Sequence, residues 1–180
     1  YYPYPDYKFP TTIYSDEYMP KKGELSNNLR NFDRDRVLLF DEKQVFDQVI
    51  EEGEFPLFSN SYLLLIGKKP QTVYAKFSND RAKAWAIRTL IHKSAAGTFL
   101  VEKQPNDKEA NAHIVHTYQA YEALSKRYEG TKIRMNECKR TPQSIVFPFC
   151  PGKTLEELLD ERLDEQDAEG FRKLIEEYMY

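Results

Sequence analysis

Cysteine is almost missing from this 180-residue chain, which holds only Cys138 and Cys150. Two are too few for a disulfide scaffold. A single bridge and a reduced pair both remain open, and a reduced, buried pair on consecutive strands is favoured because nothing marks the chain for export. Two cysteines and three histidines also make a poor structural zinc site, which takes four ligands in closely spaced pairs, so no metal is expected. Neither sign of charge is in surplus: 26 basic against 29 acidic side chains give a formal charge of -3. Without a cationic field to condense onto a phosphate backbone, nucleic acid is not an expected partner. Long hydrophobic runs are missing too. The longest apolar stretches, such as Leu63 to Ile66, are strand-sized against the ~18 residues a membrane span needs, so no transmembrane segment is expected. The start has no initiator Met, basic region or apolar signal core, so a cytoplasmic location is expected. The opening Tyr1-Tyr2-Pro3-Tyr4-Pro5 reads as part of a longer polypeptide.

What is present suffices for one ordinary core, since 41% of the residues are hydrophobic. The pattern divides the chain into a leader (1–56), a central domain (57–153) and a C-terminal segment (154–180). In the leader, Pro3, Pro5, Pro10 and Pro20 break any helix and favour extended or turn backbone. The interleaved tyrosines are read either as a polyproline-like ligand or, preferably, as packing against a neighbouring domain. Asn31 to Arg36 alternates in charge and reads as a solvated turn or as an ion-pair network at a domain boundary. A helix follows, with Asp41 as N-cap, Gln44 as its capping-box partner, an apolar face of Val45, Phe46, Val49 and Ile50, and Gly53 at its end.

From residue 61 the period changes to two. Strands are expected over Ser61–Gly67, Thr72–Ser78, Ala84–Ile91 and Gly97–Lys103, a four-strand antiparallel meander. Val73, Ala75 and Phe77 should share one side of the second strand, with Tyr74 and Lys76 on the other. Between Asp107 and Tyr128 the spacing of Ile114, Tyr118, Tyr121, Ser125 and Tyr128 indicates one long helix, ended by Gly130. Strands return at Lys132–Lys139 and Ser144–Phe149. Thr154 and Glu157 then form a capping box for a helix from Leu155, and a last helix spans Ala168–Tyr178. The expected class is α+β: a five- or six-stranded antiparallel sheet carrying one long packed helix, with a helical leader and C-terminal helices.

Thr72 to Leu159, about half the chain, resembles the N-terminal lobe of the protein-kinase-like superfamily, especially small-molecule kinases such as the aminoglycoside, choline and lipopolysaccharide sugar kinases. The residues behind the resemblance are Val101-Glu102-Lys103 at a strand end, the long helix after it, and Ser144 to Phe149 followed by Cys150-Pro151-Gly152. The resemblance implies ATP, with Mg²⁺, held between the sheet and a linker. It makes Lys103 the phosphate-binding lysine, Glu122 its helix partner with Glu109 as runner-up, Val101 a wall of the nucleotide site, and Phe149 and Cys150 the backbone that meets adenine. Pro148 and Pro151 remove two donors there. The phosphate-covering loop, Phe77 to Lys83, holds no glycine. The chain reaches Tyr180 with no catalytic Asp, Asn or metal-binding Asp in its expected place, so no phosphoryl transfer is expected from it alone.

Two readings of Lys103 stay open, an ion pair with Glu122 and a solvated lysine at a strand end. His92, His113 and His116 have no Ser or Cys partner in a motif that would make a nucleophile, and Tyr118, Tyr121 and Tyr128 read as core. A looser resemblance joins Tyr1–Tyr18 and Arg36–Asp41 to the connector after a methyltransferase-like domain in bacterial surface-polysaccharide enzymes. The expected function is thus the nucleotide-side lobe of a kinase-like phosphotransferase or pseudokinase in bacterial lipopolysaccharide biosynthesis. Its expected partners are the rest of its own polypeptide, a large lobe and a methyltransferase-like domain. The alternative is a noncatalytic interaction module attached to a methyltransferase or glycosyltransferase.

Overall fold

A tyrosine-rich hairpin opens the structure, a computed structural model that describes residues 1–25, 42–68 and 70–179. Strand β1 (Tyr2–Tyr4) pairs antiparallel with β2 (Thr12–Tyr14), placing Tyr2 opposite Tyr14 and Tyr4 opposite Thr12. Asp6 closes the connection by accepting the amides of Lys8 and Phe9 at 2.7 and 3.2 Å. Pro3 sits within β1 because β1 is the sheet edge, where a residue without an N–H leaves no interior ladder bond unmade. β2 continues the sheet onto β3 (Thr72–Phe77), which pairs with β4 (Ile87–Lys93), and β4 pairs with β5 (Phe99–Pro105). After β5 the long helix intervenes. The chain returns as β6 (Lys139–Arg140) at the far edge and β7 (Ile145–Pro148) beside β5, giving the seven-stranded antiparallel order β1-β2-β3-β4-β5-β7-β6.

Two hydrophobic clusters lie on one face of this sheet, as the strand register requires. The first gathers Tyr4, Tyr14 and Leu25 with Phe55 from a short helix α2 (Phe55–Phe58), and with Phe46, Val49 and Ile50 of α1 (Glu42–Glu51). Tyr14 meets Phe55 and Tyr74 edge-on at 5.7 and 5.5 Å, an arrangement favoured by the ring quadrupoles. Burial pushes both the Tyr14 and Tyr74 phenols well above their usual range. Tyr4 keeps its hydroxyl satisfied by donating to the Leu25 carbonyl at 2.8 Å. The second cluster packs Ile114, Tyr118 and Tyr121 of α3 (Asn111–Arg127) against Ile87, Ile145, Phe147 and Cys138. The α3 stripe faces the sheet as its spacing predicted. Asp107 starts the helix by accepting the Glu109 amide at 2.8 Å, through a 3-10 turn at Lys108–Ala110.

By packing, the chain divides after Phe149 into Tyr1–Phe149 and Cys150–Tyr180. The leader belongs to the first of these and supplies two strands, so its tyrosines pack within the sheet domain. The second unit is α4 (Leu155–Asp164) against α5 (Ala168–Met179). The Thr154–Glu157 capping box forms as expected, and Asp167 caps α5 by accepting the Gly170 amide at 2.9 Å.

Several sequence expectations are corrected. Ser61–Gly67 is not a strand: the place beside β3 is taken by β2, and Tyr62, Leu63, Leu64, Leu65 and Ile66 are exposed, with the Leu63 amide donating to the Tyr1 carbonyl at 2.9 Å. Trp85 lies in a 3-10 turn (Lys83–Trp85), and the strand starts two residues later and runs to Lys93. The strand expected over Lys132–Lys139 is reduced to β6, which pairs with β7 only at Lys139–Val146 and Arg140–Ile145. Cys138 and Cys150 are both free, but only Cys138 is buried and neither lies on a strand. The Asp41 cap, the Asn31–Arg36 run and the Arg36–Asp41 connector lie outside the described residues.

Candidate anion-binding cavity

One row of side chains crosses four strands. Lys76 of β3 stands opposite Thr89 of β4, Thr89 opposite Lys103 of β5, and Lys103 opposite Ile145 of β7. Directly opposed residues in antiparallel strands share a face, so the two lysines stand on the helix-covered side, two strands or roughly 10 Å apart. The β3–β4 loop brings Ser78 and Arg81 over this row, and the first turns of α3 bring His113, Ile114 and Thr117. Together they line a cavity of about 290 Å³ that is open to solvent, with Lys76 and Arg81 both exposed. Trp85 steadies the α3 wall, its ring edge-on to His113 at 5.1 Å.

The cavity is cationic. Lys76, Arg81 and Lys103 line it beside Ser78, Thr89 and Thr117, and among the described residues no Asp or Glu does. Among the described residues no carboxylate lies within 4.0 Å of any of the three cations. Lys103 instead places its ammonium 5.8 Å from the centre of the Phe147 ring. Burial raises the pKa of the neighbouring Cys138 thiol, and the Lys103 charge opposes that rise.

The predicted site residues are placed as follows. Val101 and Lys103 share a face, as their spacing of two requires, with Val101 between Ile91 and Phe147. Of the two readings open for Lys103, the ion pair with Glu122 is not formed. The lysine faces His113 and Thr117, whereas Glu122 lies five residues beyond Thr117, about 7.5 Å further along the helix axis, and is exposed. The carboxylate acts instead on Tyr118, one turn back, raising its phenol. Glu109 stays at the exposed turn before α3. The Phe149 amide donates to the Phe99 carbonyl at 3.2 Å, continuing the β5–β7 ladder, and its ring packs on Phe99 and Tyr18. Cys150 is exposed at the start of the second unit.

Sequence reasoning missed Lys76, Arg81, His113 and Thr117. Lys76 was legible, since alternation placed it with Tyr74 on the face opposite Ala75. Arg81 was not, because nothing local tells a loop arginine where to reach. The other sheet face carries a separate network, in which His92 joins Thr72 Oγ1 through Nδ1 and Glu102 through Nε2, both at 3.0 Å. The histidine thus gains a hydroxyl partner that no sequence motif announced.

Compared with known protein families, curated proteins and solved structures, the chain matches none. Among the described residues no group of three or more His, Cys, Asp or Glu is placed to hold a metal ion, and no helix is long and apolar enough to cross a membrane.

Proposed function

We propose that Tyr1–Phe149 is the nucleotide-side lobe of a kinase-like phosphotransferase or pseudokinase, with the cationic cavity taking the phosphates of ATP. The observation that carries the reading is where the cavity lies: under the loop joining two strands, over a lysine of the third strand, and against the helix that follows that strand. This is where the resemblance places nucleotide phosphates, and the order of three strands, long helix and two strands agrees with it. The donor set suits an oxyanion, since three cations and the hydroxyl residues Ser78 and Thr89 line one small space, the Thr117 hydroxyl being engaged with the His113 carbonyl at 2.8 Å. ATP would be held by Lys103, Lys76 and Arg81, and it supplies the phosphoryl group when bound. Among the described residues no carboxylate lines the cavity to hold Mg²⁺, so the ion would arrive with the nucleotide or be held by a large lobe. A role in lipopolysaccharide or other bacterial surface-polysaccharide synthesis follows from the sequence resemblance alone.

A noncatalytic interaction module is the second reading. The exposed apolar residues Leu57, Phe58, Tyr62, Leu64, Leu65 and Ile66 favour it, since side chains clustered in this way on a surface mark binding sites. Calorimetric and thermal-shift titration of the chain with ATP and Mg²⁺ separates the two, because a ligand that binds only the folded state raises its stability. Saturable binding, weakened about tenfold or more in Lys103→Ala by loss of a charge-assisted contact, is the expected result. No response at millimolar nucleotide would remove the nucleotide-lobe reading.

A further inference from the structure

Kinase-like lobes cover phosphates with a glycine-rich loop whose backbone amides approach the anion, and here that loop is built otherwise. Phe77 to Lys83 contains no glycine, and its flanking amides are already used within the chain. Ser78 donates to the Ile87 carbonyl at 3.0 Å, Trp85 to Ala82 at 2.8 Å and Ala86 to Lys83 at 3.2 Å. The residues that line the cavity from this side are Lys76 of the strand and Ser78 and Arg81 of the loop, which carry an ammonium, a hydroxyl and a guanidinium. Lys76, Arg81 and Lys103 line this one space together, with no carboxylate within 4.0 Å of them among the described residues. At about 290 Å³ the space is at the lower limit of ligand pockets, which run roughly 300–1,000 Å³. It suits a phosphate chain better than a whole nucleotide.

We infer that the cavity is a polyphosphate site closed by a side-chain clamp, in which Arg81 and Lys76 do the work of loop amides and hold a di- or triphosphate chain directly, without a metal held by this chain. The inference deepens the nucleotide-lobe reading and rests on it for the identity of the natural ligand. The phosphate chain could equally be that of a nucleotide or a free polyphosphate, and the test separates them.

The chain is titrated with inorganic tripolyphosphate in EDTA, and with ATP in EDTA and in Mg²⁺, using wild type, Arg81→Ala, Lys76→Ala and Lys139→Ala, the last a surface control. Unliganded melting curves check that each variant is folded. Saturable tripolyphosphate binding in EDTA is expected, weakened about tenfold in Arg81→Ala and Lys76→Ala, as loss of a charge-assisted contact predicts, and unchanged in Lys139→Ala. Absence of saturable binding in EDTA overturns the inference, as does equal affinity in folded Arg81→Ala. If ATP with Mg²⁺ binds and depends on Lys103 but not on Arg81, the clamp falls and the nucleotide lobe stands. If tripolyphosphate binding depends on Arg81 while ATP binds no tighter than tripolyphosphate, the clamp stands and the nucleotide reading falls.

Discussion

Glu102 and Lys103 are neighbours in sequence with opposite surroundings, because successive strand residues point to opposite faces. Lys103 enters the cavity, while Glu102 joins the network with His92 and Thr72 on the other face. Burial alone would raise the Glu102 carboxyl, but hydrogen bonds from Gln104, Ser144 and His92 outweigh it and leave the pKa lowered. The sign of the pH effect follows from that direction. A carboxyl whose folded pKa is depressed stabilises the fold above its unfolded value, near 4.3, and that contribution is lost as pH falls through the folded value. Glu102→Gln should therefore melt lower than wild type at pH 7, and the two curves should converge as pH falls from 5 toward 3. Melting temperatures measured across that range provide the check, and a constant offset between the two proteins would mean that Glu102 is not the titrating group. The Glu102-Lys103 division was legible from alternation alone. The partners of each were not, since Thr72, His92 and Arg81 arrive from other strands and loops.

At the scale of single elements, what the sequence showed best was what is local. The α4 capping box needs two residues three apart and the α3 stripe needs one helical period, and both formed as read. β1 and β2 escaped notice because three-residue strands have no period to detect: β1 carries Pro3 and pairs only with β2, and β2 joins the sheet only through β3, about 60 residues away in sequence. The run Leu63 to Ile66 looked like a strand for its apolar content yet lacks two-residue alternation and is not paired as one. The start of α5 shows how tightly a local device is specified. A Cβ on Gly170 would sit 2.0 Å from Asp167 Oδ2, the carboxylate that caps the helix and lies 3.4 Å from Arg162. Replacing helical glycine by alanine ordinarily gains roughly 0.5–1 kcal/mol. Displacing a cap costs about 1 kcal/mol and here disturbs the arginine contact as well. Gly170→Ala is thus expected to give no gain in helix stability and to lower it if the carboxylate is expelled. Far-UV circular dichroism during thermal melting reads this out, and a clear rise in stability would show that the cap is not needed.

Across the whole molecule, the arrangement that suits an anion opposes folding without one. Lys76 and Lys103 are held in one row by strands whose shared face also carries the two hydrophobic clusters, the β3–β4 loop adds Arg81, and among the described residues no carboxylate in the cavity wall offsets them. Sheet order decides this. A β3-β4-β5 meander alone brings the two lysines into one row, but only the crossover through α3 roofs that row and turns it into a cavity, a long-range outcome that composition and spacing do not encode. Partly exposed like charges repel by about 1 kcal/mol or less, so removing one should raise the stability of the unliganded protein. For a chain of this size 1 kcal/mol corresponds to roughly 2–4 °C in Tm. Arg81→Gln at low ionic strength should then melt at or slightly above wild type when ligand-free. In saturating tripolyphosphate the order should reverse, because only wild type gains the full binding stabilisation. Added salt should shrink the ligand-free difference by screening. If Arg81→Gln melted well below wild type without ligand, the arginine would be a structural support for the loop, and no stability would be traded for anion binding.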